Sequence, residues 1–337
     1  MKKAAILFSA LLLLLPNLFA QNNNDNNDEK GKKEKYEFEK TKTFTKSYDL
    51  SNDKVSIDNS FGKVEVKTWS KNEVKVDVSI AASSNVEAVA QRILDGITIT
   101  SDKKSDEVWF KTENNVNNKG NNNNGKNEKS TMSIDYVVYL PASTTLKLSN
   151  QFGATTLPDY TGEVELTSKF GKLETGNLSK VKSIDVEFGK AKLGNVPGGN
   201  LTIKFSSASI TKISGTVKAN IEFSSKIILN VDNNLSGLDL KTSYSTISVV
   251  PQGEVSASYN ISTSFGSFKN RTSVKFNNDE DNDNDRGPKF DHDYSGKSGN
   301  GNVPVKIKSS FSTIILGEAT DADFKDKEKN KSKGRTS

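Results

Sequence analysis

An aromatic residue followed by glycine or serine recurs along this chain. The pairs are Phe61-Gly62, Phe152-Gly153, Phe170-Gly171, Phe188-Gly189, Phe205-Ser206, Phe223-Ser224, Tyr244-Ser245, Phe265-Gly266 and Phe311-Ser312. From Phe152 to Phe265 the spacings are 18, 18, 17, 18, 21 and 21 residues. A period near 20 residues marks a stacked-repeat architecture, in which no unit encloses its own apolar face. The flanking residues follow the same rhythm. Apolar side chains alternate before each ring (Val164 and Leu166 before Phe170; Ile184 and Val186 before Phe188) and recur three and five residues after it (Val64 and Val66; Ala191 and Leu193; Ala208 and Ile210). An offset of three reverses the side-chain parity of a strand. The small residue beside the ring, as at Gly62, Gly153, Gly171, Gly189 and Gly266, therefore reads as a corner where the strand bends.

A strand, a corner, a second strand and a glycine-marked return every 17 to 21 residues describe one coil of a β-solenoid. Successive coils would pair at ~4.8 Å, with the rings stacked as an internal ladder. A β-sandwich or antiparallel barrel also gives short alternating strands, but requires no matching corner at constant spacing. An outer-membrane barrel needs longer strands with a lipid-facing apolar file, whereas these strands are short with charged outer faces.

Composition narrows the class. Only 33% of the 337 residues are hydrophobic, against ~45–50% in a typical globular chain, and mean hydropathy is −0.61. Such a chain suits a narrow solenoid better than a broad core of helices on a parallel sheet. A net charge of +5 is too small for a dedicated nucleic-acid binder. With no cysteine, the chain has no disulfide, thiol nucleophile, cysteine zinc site or cysteine lipid anchor. His292 is the single histidine, which leaves no room for a Ser-His-Asp triad or a multi-histidine metal centre. It reads as an exposed loop residue, and Trp69 and Trp109 read as strand packing residues.

Lys2 and Lys3, the apolar run Ala4 to Leu15, Pro16 and Ala20 have the layout of a secretory signal peptide over 1–20, cut after Ala20. The run is too short to cross a bilayer, so the mature chain is expected to carry no transmembrane anchor. Residues 21–42 read as a polar disordered leader. Residues 43–141 read as a β-rich capping region with one helix over Asn85 to Leu94 and an Asn-rich loop at 112–130. The solenoid follows over 142–316, with a disordered insertion at 277–302, and 317–337 is a charged tail.

The run Val55-Ser-Ile-Asp-Asn-Ser-Phe-Gly-Lys-Val-Glu-Val66, the short helix, a strand ending Tyr139-Leu-Pro141 and the repeated Gly-containing strand pairs carry a resemblance. The chain resembles the bacterial adhesin-like β-strand-repeat domains of unknown function, related to the head domains of adhesins proposed to be autotransported. The resemblance covers roughly Thr43 to Leu316 and implies a secreted or envelope-associated β-solenoid. It assigns a role to no individual residue, and the Asn-rich insertions depart from the pattern.

The strongest enzymatic reading is a polysaccharide-active parallel β-helix, which needs two carboxylates ~5–9.5 Å apart. Outward strand positions include Glu163, Glu165, Asp185, Glu187, Glu222 and Asp239. They alternate with Lys169, Lys204, Lys218 and Lys241, as on a solvated face. Asp279, Asp281, Asp283 and Asp285 form a weak calcium candidate of hard oxygen ligands. The run lacks the sixth-position glycine and the later glutamate of an EF-hand, so it reads as a solvated loop. The sequence thus points to a non-enzymatic, cofactor-free, adhesin-like binding or structural module, exported to the periplasm, cell surface or medium. A cell-wall or surface glycan, or another envelope protein, is the expected kind of partner. The alternatives are the β-helix enzyme and a periplasmic partner of an envelope-stress regulatory system.

Overall fold

A computed structural model describes residues 36–116, 128–278 and 290–324. The signal peptide, most of the leader, the centre of the Asn-rich loop, the whole acidic run and most of the charged tail lie outside these residues. The described chain is all-β, 69% strand and 5% helical. Its 22 strands belong to one sheet that nearly closes on itself around an apolar core.

The first part holds β1 (Phe38–Asp49), β2 (Lys54–Ser60), β3 (Val64–Thr68), β4 (Glu73–Ser84), α1 (Glu87–Gly96), β5 (Ile97–Lys104), β6 (Glu107–Asn114) and β7 (Ser130–Leu140). In β4, Val74, Val76, Val78 and Ile80 are buried while their neighbours face outward, the period-two pattern of a half-buried strand. The helix α1 buries Val89, Ala90, Ile93 and Leu94, the face its spacing predicted, and packs on β4 and β1. β4 lies antiparallel between β1 and β7, and β5 is antiparallel to β6.

The repeats follow as β8 (Leu146–Gln151), β9 (Ala154–Leu157), β10 (Tyr160–Lys169), β11 (Lys172–Thr175), β12 (Leu178–Glu187), β13 (Lys190–Lys204), β14 (Ser207–Glu222), β15 (Ile227–Ser243) and β16 (Thr246–Pro251). The last are β17 (Ala257–Ser264), β18 (Ser267–Asn270), β19 (Phe276–Asn278), β20 (Asp291–Lys297), β21 (Val303–Ser310) and β22 (Thr313–Leu316). Strands one period apart pair in parallel. Leu166 lies beside Leu148 on one side and Ile184 on the other, and Leu173 lies between Thr155 and Ala191. The strand before each ring joins one parallel series and the strand after it joins a second. The apolar positions read from the sequence, including Val164, Leu166, Leu173, Ile184, Val186, Leu201 and Ile210, are all buried.

Four expectations are corrected. First, the rings are outside. Phe152, Phe170, Phe188, Phe205, Phe223, Tyr244, Phe265 and Phe311 are 47–54% exposed, and Phe61 is half-buried. Strand parity would send each ring inward, but each has a positive φ of 49–66°, and this left-handed kink turns it out to solvent. The corner is thus the aromatic residue itself. Second, β1 begins inside the stretch read as leader; antiparallel hydrogen bonding along β4 supplies what its sparse apolar side chains do not. Third, part of the insertion at 277–302 is ordered: β20 pairs antiparallel with β17 and β19. There Phe276 and Tyr294 each pack 4.9 Å from Phe268, a small apolar cluster hidden in polar sequence.

Fourth, the repeats do not all stack in chain order. β21 lies between β15 and β17, and β22 between β16 and β18, so the last repeat is inserted beside earlier ones. The return through β20 crosses to the far side of β17, and β21 then fills the opening with both its edges paired. At the other end β2 lies between β6 and β8. Among the described residues, no helix is long and apolar enough to cross a membrane.

Candidate functional site

The outward rings form one continuous file. In spatial order they are Phe61, Phe152, Phe170, Phe188, Phe205, Phe223, Tyr244, Phe311, Phe265 and Phe290, with centroids 4.7–5.1 Å apart and planes within 17° of parallel. This spacing is the distance between neighbouring strands, so the backbone sets the stack. Phe290, outside the repeat motif, adds the tenth ring.

Backbone hydrogen bonding continues through each kink. The Phe170 N–H donates to Glu187 O at 2.9 Å, Phe188 N–H to Lys204 O at 3.1 Å, and Phe205 N–H to Glu222 O at 3.1 Å. A left-handed non-glycine residue costs ~1–2 kcal/mol. A stacked aromatic pair returns ~0.5–1.5 kcal/mol, and each interior ring has two neighbours. The file is therefore nearly self-supporting. Because the rings lie face to face, they present edges to solvent, and ring faces are open only at the two ends.

The residue after each ring explains the Gly/Ser alternation. A Cβ at Gly171 would lie 2.0 Å from Gly153 O, and at Gly189 2.2 Å from Gly171 O. Glycine here serves close approach between repeats, not a positive φ. From Ser206 to Ser312 along the file the contact is a hydroxyl relay instead, and at Gly266 beyond it close approach returns, with a Cβ 2.4 Å from Ser312 O. Gly189 N–H donates to Ser206 Oγ at 3.0 Å, Ser206 N–H to Ser224 Oγ at 3.2 Å, Ser224 N–H to Ser245 Oγ at 3.0 Å and Ser245 N–H to Ser312 Oγ at 3.0 Å. Each serine hydroxyl donates to the carbonyl two residues earlier, as Ser224 does to Glu222 O at 2.8 Å.

Three of the six carboxylates considered for acid/base chemistry are drawn into cross-strand ion pairs. Glu165 meets Lys182 at 2.8 Å and Lys147 at 3.3 Å, Glu187 meets Lys169 at 3.0 Å, and Glu222 meets Lys204 at 3.4 Å. The Lys182 hydrogen bond, with help from Lys147, holds the Glu165 carboxyl below its ordinary range despite some desolvation. Glu163 and Asp239 are exposed and Asp185 is half-buried. The calcium candidate Asp279, Asp281, Asp283 and Asp285 lies outside the described residues. His292 is on β20, half-buried, with its ring 6.3 Å from that of Tyr294, so the loop reading is corrected. Trp69 follows β3, packs 5.4 Å from Tyr139 and donates from Nε1 to Glu73 O at 2.9 Å; Trp109 is half-buried on β6.

No family model matches the chain. No curated protein matches it either. Comparison with solved structures finds adhesin-like neighbours. A Bacteroides fragilis structure described as a "putative adhesin" shares 12% identity at a TM-score of 0.38, over 82% of this chain and 97% of that one. A "putative cell adhesion protein" from Clostridium sporogenes shares 13% identity at a TM-score of 0.27, over 83% and 100%. A Parabacteroides distasonis structure described as a "putative lipid binding protein" shares 11% identity at 0.34, over 82% and 97%.

Proposed function

We propose that this chain is an exported, non-enzymatic, adhesin-like binding module built as a β-solenoid, with the strand-helix-strand region at 43–141 covering one end. The exposed aromatic file carries this reading. Nine of its rings are about half exposed, which at ~200 Å² per side chain leaves roughly 900 Å² of contiguous apolar surface. The largest patch on a typical monomer is ~300–600 Å², and larger ones mark interaction sites. The parallel registers one period apart support the solenoid reading.

The ion pairs support a binding role over the polysaccharide-active alternative. A general acid on a glycosidic bond needs a raised carboxyl pKa, whereas lysines push Glu165 the other way. The envelope location is the one expected from the sequence at 1–20. The test is a pull-down of the full mature chain with bacterial cells, peptidoglycan and host matrix. Retention that drops in Phe170→Asn/Phe188→Asn/Phe205→Asn is expected, asparagine being chosen because it accepts a left-handed backbone. Uniform failure to bind overturns the reading, as does turnover of a uronate polymer to new reducing ends.

A further inference from the structure

Along the outer surface beside the aromatic file, lysines mostly meet glutamates of the adjoining repeat, as in Lys169–Glu187, Lys204–Glu222 and Lys182–Glu165. Lys241 beside Lys308 is one exception, and a larger patch is another. Lys172 and Lys190 stand side by side in parallel register, Lys192 follows on the same strand face as Lys190, and Lys226 adjoins through its carbonyl, which accepts the Ala208 N–H at 3.4 Å. Lys172 is paired with Glu174 at 2.6 Å, and Lys226 reaches Asp321 only at 3.8 Å. Lys190 and Lys192 have no ion pair among the described residues. Like charges on neighbouring strands repel, and here the one close carboxylate, Glu174, paired with Lys172 and in register with Lys192, serves four lysines.

These four lysines line a shallow hollow of about 270 Å³, together with Ser207, Ser209 and the half-buried Ile228. A second hollow of about 400 Å³ shares Lys172 and Lys190 and is walled by Phe170, Phe188 and Phe205. The two make one trough running alongside the ring file, cationic and hydroxyl-lined on one side and apolar on the other.

We propose that this trough binds an acidic polysaccharide laid along the stacking direction. The proposal rests on the binding-module reading and names its ligand class. Lys172 stands on β11, Lys190 and Lys192 on β13 and Lys226 just before β15, with Ser207 and Ser209 of β14 between the last two, so the lysines span three strand steps of ~4.8 Å, roughly 14 Å. One phosphate or carboxylate covers one or two of them; a chain bearing a carboxylate on each sugar covers all four. The serine hydroxyls supply partners for sugar hydroxyls. The ring edges form a wall for the sugar chain, since their faces are taken by one another.

The experiment is calorimetry of the full mature chain with oligogalacturonate, against a neutral glucan of equal length, inorganic phosphate and phosphatidylglycerol vesicles. Saturable binding to oligogalacturonate alone is expected. Lys190→Gln/Lys192→Gln weakens it about tenfold or more, the loss expected for two charge-assisted contacts. Lys190→Arg/Lys192→Arg retains it, and Lys218→Gln/Lys241→Gln, on the strand series before the rings and outside both hollows, leaves it unchanged. Equal binding of phosphate or vesicles, or no effect of the double glutamine variant, overturns the proposal. If oligogalacturonate does not bind while cell retention still depends on the rings, this inference falls and the module reading stands; if neither binds, both fall.

Discussion

The left-handed aromatic shows how one residue is held in an unfavoured state by its neighbours. Phe188 has φ 53° and stacks on Phe170 at 4.8 Å and Phe205 at 4.7 Å. Phe188→Asn keeps a side chain that accepts this backbone but removes both stacks. A loss of about 1–3 kcal/mol in urea unfolding is expected. Phe188→Val is expected to lose more, since β-branching adds strain at positive φ. The positions of these rings could be read from the sequence, and their side of the sheet could not. Alternation before Phe170 runs through buried Val164, Leu166 and Ser168 and so predicts an inward ring. A single dihedral sign reverses that, and in a non-glycine residue no composition signal announces it. A clue lay in Ser168, Asn150 and Asn59, polar residues two places before the rings. All three are buried, yet Val186, Ile203 and Ile221 hold the same place before Phe188, Phe205 and Phe223, so the signal covers only part of the file.

At the level of strands and their junctions, the Gly-to-Ser change along the file divides two ways of joining repeats. Glycine lets one backbone approach the next, and serine inserts a hydroxyl that accepts the N–H from the preceding repeat. Ser224→Ala leaves the buried Ser206 N–H without its acceptor. It should cost about 1–3 kcal/mol by denaturant titration, with Ser224→Thr recovering part of the loss. Helix α1 was legible because its apolar residues Val89, Ala90, Ile93 and Leu94 repeat on one face at helical spacing. Strand β20 was not, because Asp291–Lys297 carries few apolar residues and is stabilised mainly by backbone bonds to β17 and β19. Backbone pairing leaves no mark on composition, so polar edge strands such as β1 and β20 read as loop. The lysine trough was hidden for a related reason: Lys172, Lys190 and Lys226 meet only after the period has been folded into register.

Across the whole molecule, the period was visible and the stacking order was not, since equal spacing does not say which repeat lies beside which. Ile307 on β21 is fully buried between Leu240 of β15 and Ile261 of β17. Ile307→Ala should cost about 2–5 kcal/mol. Amide exchange should then quicken together in the later part of β15 and in β17, while β8 to β12 keep their protection. Uniform loosening along the chain would argue against local insertion of this strand. The same insertion bears on how the protein is made. A chain whose closing piece is threaded between two earlier ones cannot be completed progressively from its first residue. Until Val303–Leu316 has been synthesised, β15 and β17 have no partner at their shared seam. The sheet is thus sealed by a segment that emerges after both strands it joins, and that seam is among the last contacts to form.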